Sequence, residues 1–445
     1  MRICIKYCNK KLSIDTSAIF ATFIYPAYYS ANCWKFQYLL YFFAKKRLYC
    51  LPKERIMNRL LASLYGFGFF NKFLLLTPVY AIFMQANGLS DLQLSTMFII
   101  SALGTILGQA PITYITNRVG QRWSMIVGQI LKIIAILLWL ALPTYTGFVV
   151  GMFLWGVQAG FRSVAFEGLI YDSVSAYGKR REYSRILGRK STYESAGTAL
   201  SAFGSLLMFM GYDWVTWASV AAILISIICL IAVPYRPTTP TATAKSVPMR
   251  KLMRTGVKIA LKTPCLMSVM MLTLLIINIP YLDDFLSPIG LQIGIPTEYV
   301  GIVPLFLLGC ATIGQRFAYK FANISEMLLY ILIGVVGIAF IGFGVDYTPT
   351  ALWMLGVAYM LFYGIYTLMY SRFQHIIPSR HRSVVLSFYT TLNYVLYMIV
   401  CGIVGLGATL GSWRYSIFIL GGLMLILCGW AIAFMRGKCQ PAPQA

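Results

Sequence analysis

Charge is scarce in this chain, and acidic charge scarcest of all. Only 13 of 445 residues are Asp or Glu, histidine occurs twice (His375 and His381), and charged residues amount to 11%. A water-soluble domain of this length coats itself with roughly a quarter charged residues, so a soluble globular protein is excluded. Two histidines do not make a histidine-based zinc or iron centre, and the ten cysteines form no CxxC pair and no Cys/His cluster. Neither metal nor cofactor is expected. A GxxxxGK[ST] phosphate loop is missing too, which argues against an ATP-driven pump. A membrane enzyme acting on lipid would want histidine or clustered acids at the interface, and no catalytic residues are expected here.

What the chain has in abundance is apolar sequence, 59% of its residues, with a mean hydropathy of +0.73. Runs of roughly 18 to 25 apolar residues recur, each long enough as a helix to cross about 30 Å of hydrocarbon. Helices also satisfy their own backbone in lipid. From Met57 onward twelve such spans are expected, at about 60–84, 91–116, 123–143, 147–175, 187–210 and 213–233, then 264–287, 298–318, 326–345, 350–377, 382–408 and 413–435. The polar interval from Pro234 to Pro264 divides them six and six. The expected fold is all-α and membrane-integral, with an N-terminal six-helix bundle over 57–233, a cytoplasmic linker over 234–263, a C-terminal bundle over 264–436 and a cytoplasmic tail over 437–445. Residues 1–56 carry ten Lys/Arg against Asp15 and Glu54. They read as a basic cytoplasmic or interfacial extension, or as an upstream mis-start with Met57 as the true first residue.

A net charge of +24 would suit nucleic acid, but its placement argues against that partner. The basic residues gather in alternate loops: Arg118 and Arg122, then Lys179 to Lys190, the linker, Arg316 and Lys320, and Arg380 and Arg382. The intervening loops carry no Lys or Arg, and Arg414 alone breaks the pattern. This is the asymmetry that orients membrane proteins, with anionic lipid headgroups as its partner. It places both termini in the cytosol, in the plasma membrane or an inner membrane. The paired basic residues four apart, Arg118/Arg122 and Arg316/Lys320, occupy corresponding loops of the two halves, as expected of a carrier built from repeats.

The interval Gly108 to Trp123, GQAPITYITNRVGQRW, resembles the signature loop of the major facilitator superfamily, with Asn117 where that family usually has Asp and Gln121 where it often has Arg. The stretch Glu167 to Arg189, EGLIYDSVSAYGKRREYSRILGR, is similar to the connection between the fourth and fifth spans of bacterial permeases of that superfamily. The resemblance implies two bundles rocking about a midplane site. It also implies a gating latch at Asn117, Arg118, Gly120 and Arg122, with Asp172 and Arg189 beside it. Loss of the usual carboxylate at Asn117 weakens the charged form of that latch. The signatures of proton-coupled drug exporters are not matched.

Ionisable groups at mid-bilayer are costly and mark function or structural pairing. Lys72 in the first span, and Arg162 with Gln158 in the fourth, are placed near the midplane. In the superfamily's architecture the first, fourth, seventh and tenth spans line the cavity. Two central cations point to an anionic or zwitterionic small-molecule solute; the structural alternative is pairing with a carboxylate from another helix. Glu167 is the candidate for a coupling proton. Tyr359, Tyr363, Tyr366 and Tyr370 lie on one face of the tenth span and Asn278 in the seventh, and all are candidate solute contacts. Asp283 and Asp284 fall near the outer end of the seventh span, as members of an outer gate.

The function these residues imply is secondary active transport by a monomer, proton-coupled, as efflux or uptake. A transport-inactive sensor or scaffold retaining the fold is the alternative. The topology has a direct test. A cysteine introduced by Ser246→Cys should resist a membrane-impermeant maleimide applied to intact cells and react only after permeabilisation; labelling from outside would invert the orientation.

Overall fold

The computed structural model describes residues 53–177, 182–234, 255, 257–259, 264–321, 324–377 and 382–435. The chain divides into two compact units, Met1–Ile56 and Met57–Ala445. No strand occurs among the described residues. The helices are α1 (Lys53–Lys72), α2 (Tyr80–Ala86), α3 (Asp91–Val119), α4 (Gln121–Ala141), α5 (Tyr145–Ala176), α6 (Tyr183–Ser201) and α7 (Tyr212–Ala232). After the linker follow α8 (Pro264–Asn278), α9 (Leu286–Gln292), α10 (Ile302–Phe317), α11 (Glu326–Asp346), α12 (Leu352–Ile376), α13 (Arg382–Ala408) and α14 (Trp413–Met435).

Nine helices among the described residues are long and apolar enough to cross a membrane. The expected first, fifth and seventh spans are not among them, and local chemistry gives the reason. Pro78 and Pro280 lack the amide proton that would continue a helix. The first span therefore breaks between α1 and α2, and the seventh between α8 and α9. The fifth span leaves α-helix at Ser201 and finishes as two short 3₁₀ turns, Ala202–Gly204 and Leu206–Met210.

Helix starts follow their caps. Ser90 accepts from the Gln93 amide while the Gln93 side chain accepts from the Ser90 amide, a closed capping box at the start of α3. Thr144 and Ser325 cap α5 and α11 in the same sense. Arg414, the residue that departs from the charge asymmetry, donates to the Gly344 and Val345 carbonyls at 2.5 and 2.7 Å. It thereby caps the last turn of α11, where the helix dipole is negative. Its charge is used locally, which explains why it sits where no basic residue was expected.

Within the first half α3 packs on α5, α5 on α4 and α4 on α7; within the second α11 packs on α14 and α12, and α12 on α10 and α8. Lipid provides no hydrophobic force between helices, so close approach depends on small residues. Gly156 of α5 lies directly against the Ser101 carbonyl of α3, and the Thr105 hydroxyl donates to the Gly156 carbonyl at 2.9 Å. The halves meet mainly through α3 and α13, where Gly405 rests on Ser95.

Three hydrogen bonds join described residues of one half to those of the other: Tyr80 to Asp284 at 2.9 Å, Ser287 to the Pro78 carbonyl at 2.5 Å, and the Gly301 amide to Ser205 at 3.1 Å. All three lie toward the end of the molecule whose loops are poor in Lys and Arg. Replacing Gly156 by Leu forces a Cβ into a backbone carbonyl that has no freedom to move. We expect a loss of about 3 kcal/mol or more, read as a large fall in melting temperature in detergent. Gly422→Ala, where nothing lies within 4 Å, should leave that temperature unchanged.

Candidate solute site

A helix broken inside a membrane must find new partners for its freed backbone groups, and the first span does so with polar side chains from other helices. Lys132 of α4 donates to the Asn71 carbonyl at 2.8 Å and to Asn71 Oδ1 at 3.0 Å. It thus closes the C-terminal end of α1 with a positive charge. The Leu76 amide donates to Ser219 of α7 at 2.9 Å, and Ser287 serves the Pro78 carbonyl. Gln129 of α4 donates to Asn71 and accepts from Ser226 of α7, both at 3.2 Å. Lys132 is 3% exposed and its ammonium lies 5.3 Å from the centre of the Trp155 ring. A carbonyl, an amide oxygen and an aromatic face together replace its water.

The break in the seventh span turns two consecutive carboxylates inward, each held by a pair of phenols. Asp283 accepts from Tyr359 and Tyr363 of α12 at 3.0 and 3.1 Å. Asp284 accepts from Tyr80 of α2 at 2.9 Å and from Tyr397 of α13 at 2.7 Å. Tyr80 belongs to the first half and Tyr397 to the second, so Asp284 bridges the halves at the point where both broken spans face each other.

Beside this pair lies a cavity of about 260 Å³, lined by aromatic rings (among them Tyr80, Phe98, Trp155 and Tyr397), by hydroxyls of Ser101 and Thr105, by Asn278 and Asn393, and by Asp284. Asn278 donates to Asn393 Oδ1 at 2.9 Å. No group of three or more His, Cys, Asp or Glu that could hold a metal occurs among the described residues.

The sequence-predicted residues divide between this site and elsewhere. Asn278 lines the cavity, and Tyr359 and Tyr363 hold the Asp283 carboxylate. Tyr366 and Tyr370 stack on each other at 5.6 Å, and Tyr370 packs on Phe373 and Tyr389; none of the four tyrosines is in the cavity wall. Arg162 makes an ion pair with Glu194 of α6 at 3.7 Å, and Lys190 joins the same carboxylate at 3.0 Å. That is the structural pairing weighed against a solute role. Gln158 is buried against α4 beside Gly128. Lys72 ends α1, half-buried, and its ammonium makes no hydrogen bond or ion pair among the described residues.

In the latch region Arg118 covers the Tyr114 ring at 4.7 Å, and Arg122 reaches the Val233 carbonyl at 3.3 Å and the Trp123 ring at 5.4 Å. Gly120 turns the chain between α3 and α4 with φ +85°. Asp172 is half-buried on α5, and Arg189 lies exposed on α6 near the Tyr65 phenol. The side chains of Asn117 and Glu167 lie outside the described residues.

Sequence reasoning missed Lys132 and Gln129 altogether, and it named the two aspartates without their phenol partners. One signal for the site was present. Proline interrupts corresponding spans of the two halves, at Pro78 and Pro280, and such paired interruptions point to a carrier's binding region.

No curated protein matches the chain in sequence. Several solved structures share its fold. A variant of the nucleoside transporter NupG superposes with a TM-score of 0.69 at 10% identity, over 85% of this chain and 100% of that one. A bacterial homolog of the human lysosomal transporter Spinster gives 0.62 at 16%, over 88% and 99%. The xylose transporter XylE from E. coli gives 0.61 at 16%, over 86% and 98%. At such identities the likeness speaks for the fold alone. The sequence itself, however, matches the profile of the Major Facilitator Superfamily over residues 60–400, well over half its length, and the chain belongs to that superfamily.

Proposed function

We propose that this chain is a secondary transporter that moves a small polar solute by alternating access, with Asp283 and Asp284 carrying a coupling proton. The observation behind this reading is the Tyr80–Asp284 bond, which ties a titratable carboxylate to the contact between the halves. A phenol donating to a carboxylate makes a charge-assisted bond, roughly twice as strong as its neutral counterpart. Protonating Asp284 weakens that bond, so proton occupancy and the closure of this end become linked quantities. Asp283, one residue away and held by two phenols of α12, transmits the same change to the tenth span.

With both termini taken as cytosolic, the reading the basic loops support, we take the joined end as the outer one and the arrangement as inward-open. The solute is neutral or zwitterionic. Neither Lys72 nor Arg162 lines the cavity, whereas Asp284 does, and a purely anionic solute there would be repelled by it. Two of the neighbouring structures are named as a nucleoside transporter and a D-xylose–proton symporter. Both names describe small solutes rich in hydrogen-bonding groups, in keeping with this lining.

Proteoliposomes loaded with the pH dye pyranine test the coupling. A transported solute drawn from a panel of uracil, nicotinamide, uridine and D-xylose should move protons on addition. Asp283→Asn and Asp284→Asn should cut that proton movement at least tenfold while solute counterflow falls no more than about threefold. Binding without exchange for every solute of the panel would favour the sensor reading instead. Tyr80→Phe removes the charge-assisted one of the three bonds between the halves, a loss of about 2 kcal/mol. It should raise the outward-open population about thirtyfold, read as faster labelling from outside of a cysteine introduced by Ser95→Cys.

A further inference from the structure

The amide pair in the cavity wall fixes its own orientation, and with it the pattern shown to a solute. Asn278 Nδ2 lies 2.8 Å from the Leu274 carbonyl, one turn back in α8. A carbonyl only accepts, so the atom facing it is the amide nitrogen. The same nitrogen donates to Asn393 Oδ1 at 2.9 Å, which spends both of its protons. Left over are Asn278 Oδ1, an acceptor, and Asn393 Nδ2, a donor of two protons. Neither has a partner among the described residues, although Asn278 is only 4% exposed. Both side chains line the cavity. Both atoms open onto the cavity with no protein partner among the described residues, which leaves them available to a solute.

We infer that Asn278 and Asn393 form a recognition site for the donor–acceptor edge of a small planar ring, a lactam or a ring-borne carboxamide. The solute's carbonyl accepts from Asn393 Nδ2 while its adjacent N–H donates to Asn278 Oδ1. The surrounding wall suits a flat π system, since Phe98, Trp155, Tyr281, Tyr394 and Tyr397 border the same space and aromatic rings stack or meet edge to face. Size agrees as well. The cavity of about 260 Å³ holds roughly nine waters at ~30 Å³ each, room for a substituted ring. Asp284 in the wall excludes an anionic ring acid by like-charge repulsion.

The inference rests on the transport reading only for what happens to the solute after it binds, so binding is the quantity to measure. Full-length protein in detergent is titrated with uracil and nicotinamide, which carry the edge. Benzoate, toluene and D-xylose serve as comparisons that lack either the edge or the plane. Uracil and nicotinamide should raise the melting temperature, and the comparison compounds should not.

Asn393→Asp keeps the oxygen that accepts from Asn278 but replaces the free donor with an acceptor. It should weaken uracil and nicotinamide binding at least tenfold, because a site built around a hydrogen bond discriminates strongly once that bond is lost. The melting temperature of the unliganded protein should be nearly unchanged. Asn393→Ala gives a second variant should the aspartate disturb folding, with the same expected loss. Silence of both edge-bearing probes overturns the inference, as does equal binding by wild type and Asn393→Asp. Proton-linked movement of D-xylose with no response to uracil or nicotinamide would sink this site and leave the carrier reading standing. Tight uracil binding lost in Asn393→Asp, without exchange in vesicles, would uphold the site and count against the carrier.

Discussion

The hydrocarbon interior offers no water to a backbone amide or carbonyl, so an interrupted helix survives there only where other parts of the protein replace its lost bonds. This constraint organises the molecule. At the first break, the Asn71 carbonyl goes to Lys132, the Leu76 amide to Ser219 and the Pro78 carbonyl to Ser287. Each partner comes from a different helix, so opening the first span requires α4, α7 and α9 all to be in place. The site follows from that support, because the break carries Tyr80 to Asp284. Irregular backbone at membrane depth is tolerated beside a cavity, and here it stands beside one.

The two halves divide the electrostatic work unequally. The first half holds its cations, Lys132 on Asn71 and Trp155, and Arg162 with Lys190 on Glu194. The second half holds the two carboxylates, and it holds them with phenols rather than with cations. A phenol leaves the charge of a carboxylate in place, whereas a lysine would neutralise it. Asp283 and Asp284 are therefore kept as acceptors, while Lys132, Arg162 and Lys190 fix helices of the first half and Lys72 is left without a hydrogen bond or ion pair among the described residues. A carrier needs both: a rigid frame on one side of the cavity and a group whose charge can change on the other.

Hydropathy made the long spans readable, because a continuous apolar run has one solution in lipid. Loop charge made their alternation readable for the same reason. The breaks were less visible. Reading straight through Pro78 and Pro280 hides that α1 ends at Lys72 and that the turn after Pro280 folds Asp283 and Asp284 against Tyr359 and Tyr80. Tyr359 and Tyr363 were legible from their spacing, since residues one turn apart share a helix face. Tyr366 and Tyr370 share the spacing but pack on Phe373 and Tyr389, a difference decided by neighbouring helices. Lys132 carried the same mark as Lys72 and Arg162, a charge in mid-span, but its partner, a backbone carbonyl far away in the chain, did not show in the sequence.

The contact between the halves is small enough to be reversible. Three hydrogen bonds of about 1 to 2 kcal/mol each, with the Phe98 and Phe285 rings edge to face at 4.9 Å, hold an end that alternating access must release. The packing of α3 on α13 adds to that contact. The bond of Asp284 to Tyr80 is the part of it that a proton can weaken. At the opposite end, Arg122 and Tyr177 donate to the Val233 and Pro234 carbonyls, bonds made wholly within the first half. Those contacts stiffen that half.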